Sequence, residues 1–167
     1  MDDQTLLHID GLTDVGSRRH NNEDAWWAGR PGGEHHSMEA GPGSLHLDPR
    51  TGPVVLLVSD GVGGANAGEV ASHMAVSLVA DALRESAGEL REANSARASV
   101  LTALRRAHAA ILAKAAEPGF DGMGATLSLL CFTGDGAACW AQAGDSRICL
   151  RREDARLICR SRPPRHR

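Results

Sequence analysis

The 167-residue chain has no tyrosine, two phenylalanines and three tryptophans, so Leu, Val, Ile and Ala must fill its core. Lysine is almost missing as well, with Lys114 the single example. There is no Gly-x-x-x-x-Gly-Lys-Ser/Thr run, which argues against a nucleotide-binding protein using residues 60–68 as its phosphate loop. So few aromatics leave little for nucleic-acid bases to stack on. No apolar run approaches the roughly 20 residues that span a bilayer. The opening Met1-Asp2-Asp3 is acidic where a secretory leader is basic, so a cytoplasmic protein that binds no membrane is expected. Cys131, Cys139, Cys149 and Cys159 include no Cys-x-x-Cys pair. That spacing favours buried thiols on successive strands of a reduced protein over a zinc site.

What is present is a soluble globular composition, 42 % hydrophobic and 23 % charged. The net charge of −3 is unevenly spread. Residues 1–146 hold 10 basic against 19 acidic side chains, whereas residues 147–167 hold eight arginines against Glu153 and Asp154. An acidic body suits cations and repels nucleic acid, which leaves binding through the arginine tail as a weak alternative. We expect one folded region over 1–159 and a disordered Arg/Pro-rich tail over 160–167.

The stretch Val54-Val55-Leu56-Leu57-Val58-Ser59-Asp60-Gly61-Val62-Gly63-Gly64 organises the chain. Its apolar run predicts a strand buried on both faces, ending at a carboxylate and a glycine turn. Shorter strands are expected over 5–12 and 25–28, with a long surface loop over 29–53. Apolar spacing over 66–86 predicts a helix with a wide stripe, Val70, Met74, Leu78 and Ala82 flanked by Ala71, Ala75, Val79 and Leu83. A second helix should run from a cap at Asn94 or Ser95 to about Ala116, presenting Val100, Leu101, Leu104, Ile111 and Leu112. Residues 125–132, 137–144 and 147–150 then read as an antiparallel meander. Together these predict an α+β domain.

Several acids could do chemistry. Asp60 is suited to holding hard divalent ions together with the Gly61 carbonyl, or to capping the next helix. Glu23 and Asp24 are neighbours on a strand and must face opposite ways, so both cannot ligate one ion directly; one could bind metal while the other orients a water, or both are solvated turn acids. Arg19 can grip a phosphate with two parallel bonds, or be a surface charge like Arg18. Asp145 sits in a turn and can satisfy its own backbone there. His35, His36 and His46 fall at irregular spacing, a minor metal possibility.

In order, the chain carries Gly16-x-x-Arg19-x-x-Asn22-Glu23-Asp24, Asp60-Gly61-x-Gly63-Gly64, Gly68-Glu69-Val70-Ala71-Ser72, Gly124-Ala125-Thr126-Leu127 and Gly144-Asp145-Ser146-Arg147. This series resembles the metal-dependent protein serine/threonine phosphatases, the PPM or type 2C family, in its bacterial form. The resemblance implies a four-layer αββα sandwich with a site for two Mn²⁺ or Mg²⁺ ions. It implies that Asp60 bridges the ions, that the Gly61 carbonyl and the Glu23–Asp24 pair help hold them, and that Asp145 serves a third. By the same resemblance Arg19 binds the substrate phosphate, the substrates are phosphoserine and phosphothreonine proteins, and a Ser/Thr kinase is a natural partner.

The sequence departs from that pattern in three ways. Val62 replaces a frequent His, and Ala125 a usual Thr. The resemblance also implies two further aspartates, in an Asp-Gly and a final Asp-Asn motif, and the sequence runs out before either. The fold is therefore expected to be incomplete at the C-terminus, and an inactive fragment or pseudophosphatase acting as a binding module is the rival reading. Open sheet edges should make the 167-residue chain marginally stable and prone to aggregate. A sharp, reversible thermal transition from a monodisperse monomer would contradict this.

Overall fold

The computed structural model describes residues 6–17, 20–37, 43–63, 67–151 and 157–159. The tail expected over 160–167 lies outside the described residues. At the centre is β5 (Val54–Val62), paired antiparallel with β2 (Asp24–Gly29) on one side and β7 (Leu127–Phe132) on the other. Beyond β2 lies β3 (His35–Ser37), and beyond β7 lies β8 (Ala138–Ala143). A short β6 (Gly124–Ala125) pairs with the last residues of β5, making six strands in all.

Two helices cover one face, α1 (Ala67–Glu85) and α2 (Ala93–Ala115). Val55, Leu57 and Leu129 of the sheet pack there on Val79 and Leu83 of α1 and Val100 of α2. On the opposite face β1 (Leu7–Gly11) pairs with β4 (Gly43–Leu47), placing Ile9, Leu45 and Leu47 against Trp26, Ala28 and Val54. The fold is α+β, and helices, central sheet and this strand pair supply parts of three layers among the described residues. No helix among the described residues is long and apolar enough to cross a membrane.

Several expectations need correction. The loop expected over 29–53 contains β3 and β4, because Gly43–Leu47 finds its partner in β1, remote in sequence. The apolar run of β5 is not buried on both faces. Val58 is 51 % exposed, since the β1–β4 pair covers the sheet only around Trp26 and Val54. The meander ends at β8, and β9 (Cys149–Arg151) pairs with β10 (Leu157–Cys159) instead. Cys131 and Cys139 are free buried thiols as expected. Cys149, off the six-stranded sheet, is exposed and disulfide-bonded.

The helices pack through their smallest residues. On α1 the buried face is Ala71, Ala75, Val79, Ala82 and Leu83, all within the wide stripe expected there, with Val70, Met74 and Leu78 partly buried at its edge. On α2 it is Ala96, Val100, Ala103 and Ala107, leaving Leu101 and Leu112 exposed. Alanines let the helix backbones approach closely, and larger side chains are displaced to the flanks. The α2 cap also differs, because Glu92 occupies the N-cap without a side-chain bond. The Ala93 N–H instead donates to Asp135 Oδ2 in the β7–β8 turn at 3.2 Å. Bonds from the Thr133 hydroxyl and from the Ala137 and Ala93 amides hold the Asp135 carboxyl below its usual range.

Leu57 is 1 % exposed, and its removal should be felt throughout. Leu57→Ala should lower the unfolding free energy by about 2–5 kcal/mol. Leu101→Ala, on the exposed flank, should stay within about 0.5 kcal/mol of the parent in urea unfolding.

Candidate functional site

The acids gather where β2 begins and β5 ends. Asp24 and Asp60 are direct cross-strand partners. Cross-strand partners share a face, and like charges so placed repel, so this pairing costs stability unless a cation lies between or beside them. Both residues are half-buried. Glu23 turns the other way, as the strand alternation requires. Its carboxylate lies against Gly68 in the first turn of α1, so that a Cβ on Gly68 would meet Glu23 Oε1 at 3.1 Å. The positive end of the helix favours an anion at that place.

Backbone approach fixes this corner. The Gly61 N–H donates to the Glu23 carbonyl at 3.0 Å. A Cβ on Gly61 would fall 1.9 Å from the Gly68 carbonyl oxygen, a distance no side chain tolerates. Gly61 and Gly68 are therefore required for close packing of β5 on α1 and not for unusual dihedral angles.

Two polar networks hold the aspartates. The Asp24 amide donates to Asn22 Oδ1 at 3.1 Å, and the Thr13 hydroxyl donates to Asp24 Oδ2 at 3.3 Å. Asn22 Nδ2 in turn donates to Thr13 Oγ1 at 2.9 Å. On the other strand the Asp60 amide donates to Thr126 Oγ1 at 2.9 Å, and the Thr126 amide donates back to the Asp60 carbonyl at 2.8 Å. The buried Ser59 hydroxyl donates to the Thr126 carbonyl at 2.6 Å. The Thr126 and Ser146 hydroxyls are 2.7 Å apart, and Gln142 Nε2 donates to the Ser146 carbonyl at 2.5 Å. The bend after β8 is thus tied to the end of β5.

Asp145 lies in that bend and is exposed. Arg19 lies outside the described residues. Ala125 stands directly opposite Gly61, so its small side chain keeps that end of the sheet open. Among the described residues no three carboxylate, thiol or imidazole groups converge closely enough to hold a metal ion. The structure brings Asp24 and Asp60 together and sets Glu23 behind them on the helix side. His35 and His36 contact Trp27 and Trp26, and His46 contacts His8.

The residues that sequence reasoning passed over are Thr13, Asn22, Thr126 and Ser146. Asn22 and Thr126 lay inside quoted motifs without a role. Their signal was a polar residue beside apolar strand residues, which becomes meaningful only when a buried partner is known. The donor set fits a hard cation in kind, being entirely oxygen. Asp24 and Asp60 face one another there, whereas Glu23 stands on the helix side and does not complete a three-ligand cluster with them among the described residues.

Residues 44–165 match the family model described as protein phosphatase 2C. Protein phosphatase PhpP of Streptococcus pneumoniae is 31 % identical over 144 residues, covering 86 % of this chain and 50 % of that protein. Serine/threonine phosphatase stp of Listeria innocua is 31 % identical over 149 residues, covering 89 % of this chain and 51 % of that protein. Among solved structures, the Mycobacterium tuberculosis serine/threonine phosphatase PstP/Ppp superposes with a TM-score of 0.62 at 29 % identity, over 95 % of this chain and 55 % of the other. The S. agalactiae serine/threonine phosphatase has the same fold, with a TM-score of 0.71 at 24 % identity, over 95 % of this chain and 56 % of the other. The chain spans about half the length of the curated relatives it matches.

Thr126→Val keeps the volume and removes the hydroxyl that accepts from the Asp60 amide. It should destabilise the chain by about 1–3 kcal/mol in urea unfolding, with Thr126→Ser costing clearly less.

Proposed function

Because the chain belongs to the protein phosphatase 2C family, we propose that it takes part in metal-dependent hydrolysis of phosphoserine and phosphothreonine in proteins. The observation that carries this reading is the register pairing of Asp24 with Asp60, which sets two carboxylates side by side at the end of the sheet. Such a pair is unfavourable alone and useful beside a cation. Asp60, with the Gly61 carbonyl and the Glu23–Asp24 pair, would hold Mn²⁺ or Mg²⁺, and Asp145 would serve a further ion from the neighbouring bend. Bound there, such ions lower the pKa of a water and offset charge on the phosphoryl oxygens.

The chain's own residues would do the positioning. Thr126 and Ser146 steady the backbone of Asp60, while Thr13 orients the Asp24 carboxylate and Asn22 holds the Asp24 amide and Thr13. Arg19, a few residues before Glu23, would grip the substrate phosphate through two of its N–H groups. Phosphoryl transfer needs chiefly positioning and charge neutralisation, so no protein nucleophile is required. The partners are phosphoproteins and, by extension, a Ser/Thr kinase with opposing activity, in the cytoplasm.

One observation favours a second reading, in which the chain is an inactive phosphatase fragment that binds without hydrolysing. No cluster of three metal-ligating side chains forms among the described residues. Hydrolysis of an aryl phosphate by the 167-residue chain separates the two. Activity should appear with Mn²⁺, vanish with chelator, and fall to the metal-free background in Asp60→Ala. A folded, soluble sample with no more activity than Asp60→Ala would establish the second reading instead.

A further inference from the structure

Away from the acidic corner, Cys131 on β7 and Cys139 on β8 are direct cross-strand partners. Both are free thiols, 0 % and 4 % exposed, and both belong to the core on the helix side of the sheet. Opposed residues in an antiparallel pair have Cα atoms about 4.5 or 5.5 Å apart, depending on which kind of pair they form. Either spacing falls within the roughly 4.4–6.8 Å that a disulfide spans. The Cys131 thiol donates to the Phe132 carbonyl at 3.8 Å. Closing a bridge between the two thiols asks the Cβ atoms to approach by about 1 Å, a local adjustment within the β7–β8 pair.

The two sulfurs are not equivalent. Cys139 lines a cavity of about 360 Å³ between β8 and α2, together with Arg97, Val100, Leu104 and Trp140. Cys131 is absent from that lining and sits one strand further into the sheet. We propose that this pair is a peroxide-reactive dithiol, in which Cys139 is the attacking sulfur and Cys131 the resolving one. The cavity admits a molecule of the size of hydrogen peroxide. The Cys131 thiol beside it lowers the Cys139 pKa to about 7, against the opposing effect of burial and with help from the Arg97 charge. Cys131 is raised by its neighbour Cys139 and by burial. A thiolate is the competent nucleophile, so the reaction begins at Cys139.

The chemistry balances as follows. Cys139 sulfur attacks one oxygen of hydrogen peroxide, the O–O bond breaks, and the departing hydroxide leaves as water once protonated. Cys139 is then a sulfenic acid. Cys131 sulfur displaces the hydroxyl from Cys139, forming the S–S bond as the S–O bond breaks, and its proton leaves with that hydroxyl as a second water. Two thiols are oxidised and one peroxide is reduced to two waters. This inference does not depend on phosphatase activity.

Trypsin should release residues 115–147 as one peptide holding both cysteines, because no Lys or Arg lies between Lys114 and Arg147. After brief exposure of the folded chain to hydrogen peroxide, that peptide should be lighter by two hydrogens and refractory to alkylation, and a dithiol reductant should reverse both changes. In Cys131→Ser, which keeps a hydroxyl donor beside Cys139 but cannot form a disulfide, dimedone should capture a sulfenic acid on Cys139; in Cys139→Ala, Cys131 should stay alkylatable after denaturation. Two alkylatable thiols in peroxide-treated wild-type peptide would overturn the proposal, as would pairing of either cysteine with one outside residues 115–147. The wild-type map decides by itself should a variant fail to fold.

Discussion

The contact between the backbones of Gly61 and Gly68 determines how the rest of the site can be arranged. With no side chain on either, the end of β5 lies directly on the first turn of α1. That contact places the positive end of the helix beside the Glu23 carboxylate and leaves the Gly61 amide to the Glu23 carbonyl. A methyl group at Gly61 would have to push the helix off the strand. The packing of alanine faces between α1 and α2 extends the same economy of volume outward, with Ala75, Ala96 and Ala103 in one core with Leu57 and Leu129.

On this frame the chain accepts an unfavourable feature. Two carboxylates stand opposite one another at Asp24 and Asp60, while polar groups around them are spent on holding the backbone and orienting side chains. Local cost at a place so well braced is the pattern expected where a protein handles a charged ligand. The bracing reaches across the sheet, since Thr126 is joined to Ser146 and Ser59 to Thr126. The acidic end of β5 and the bend after β8 are therefore one mechanical unit.

Much of the fold was legible before any coordinates. The helices at 67–85 and 93–115 follow from long apolar periodicity, and the strand pattern of β5, β7 and β8 from short apolar runs between glycine-rich turns. The strands β3 and β4 were not legible, because three to five residues with little apolar bias become strands only when a distant partner offers an edge. On α2 the expected face was only partly right, for a related reason. Leu101 looks like core by hydrophobicity, yet Ala103 is buried in its place because the approach of two helices, a tertiary quantity, selects small side chains.

For the site, the sequence determined which chemistry was possible. Its acids at 23, 24, 60 and 145 and its glycines at 61 and 68 suited oxygen ligation, and a lone lysine at 114 argued against a nucleotide loop. Their order along the chain carried the family. Tertiary structure alone decided that Asp24 faces Asp60, that Glu23 turns to the helix, and that Cys131 meets Cys139. Register is a relation between strands separated by tens of residues, and it is settled by how turns, edges and packed faces fit together, information that no local run of residues contains.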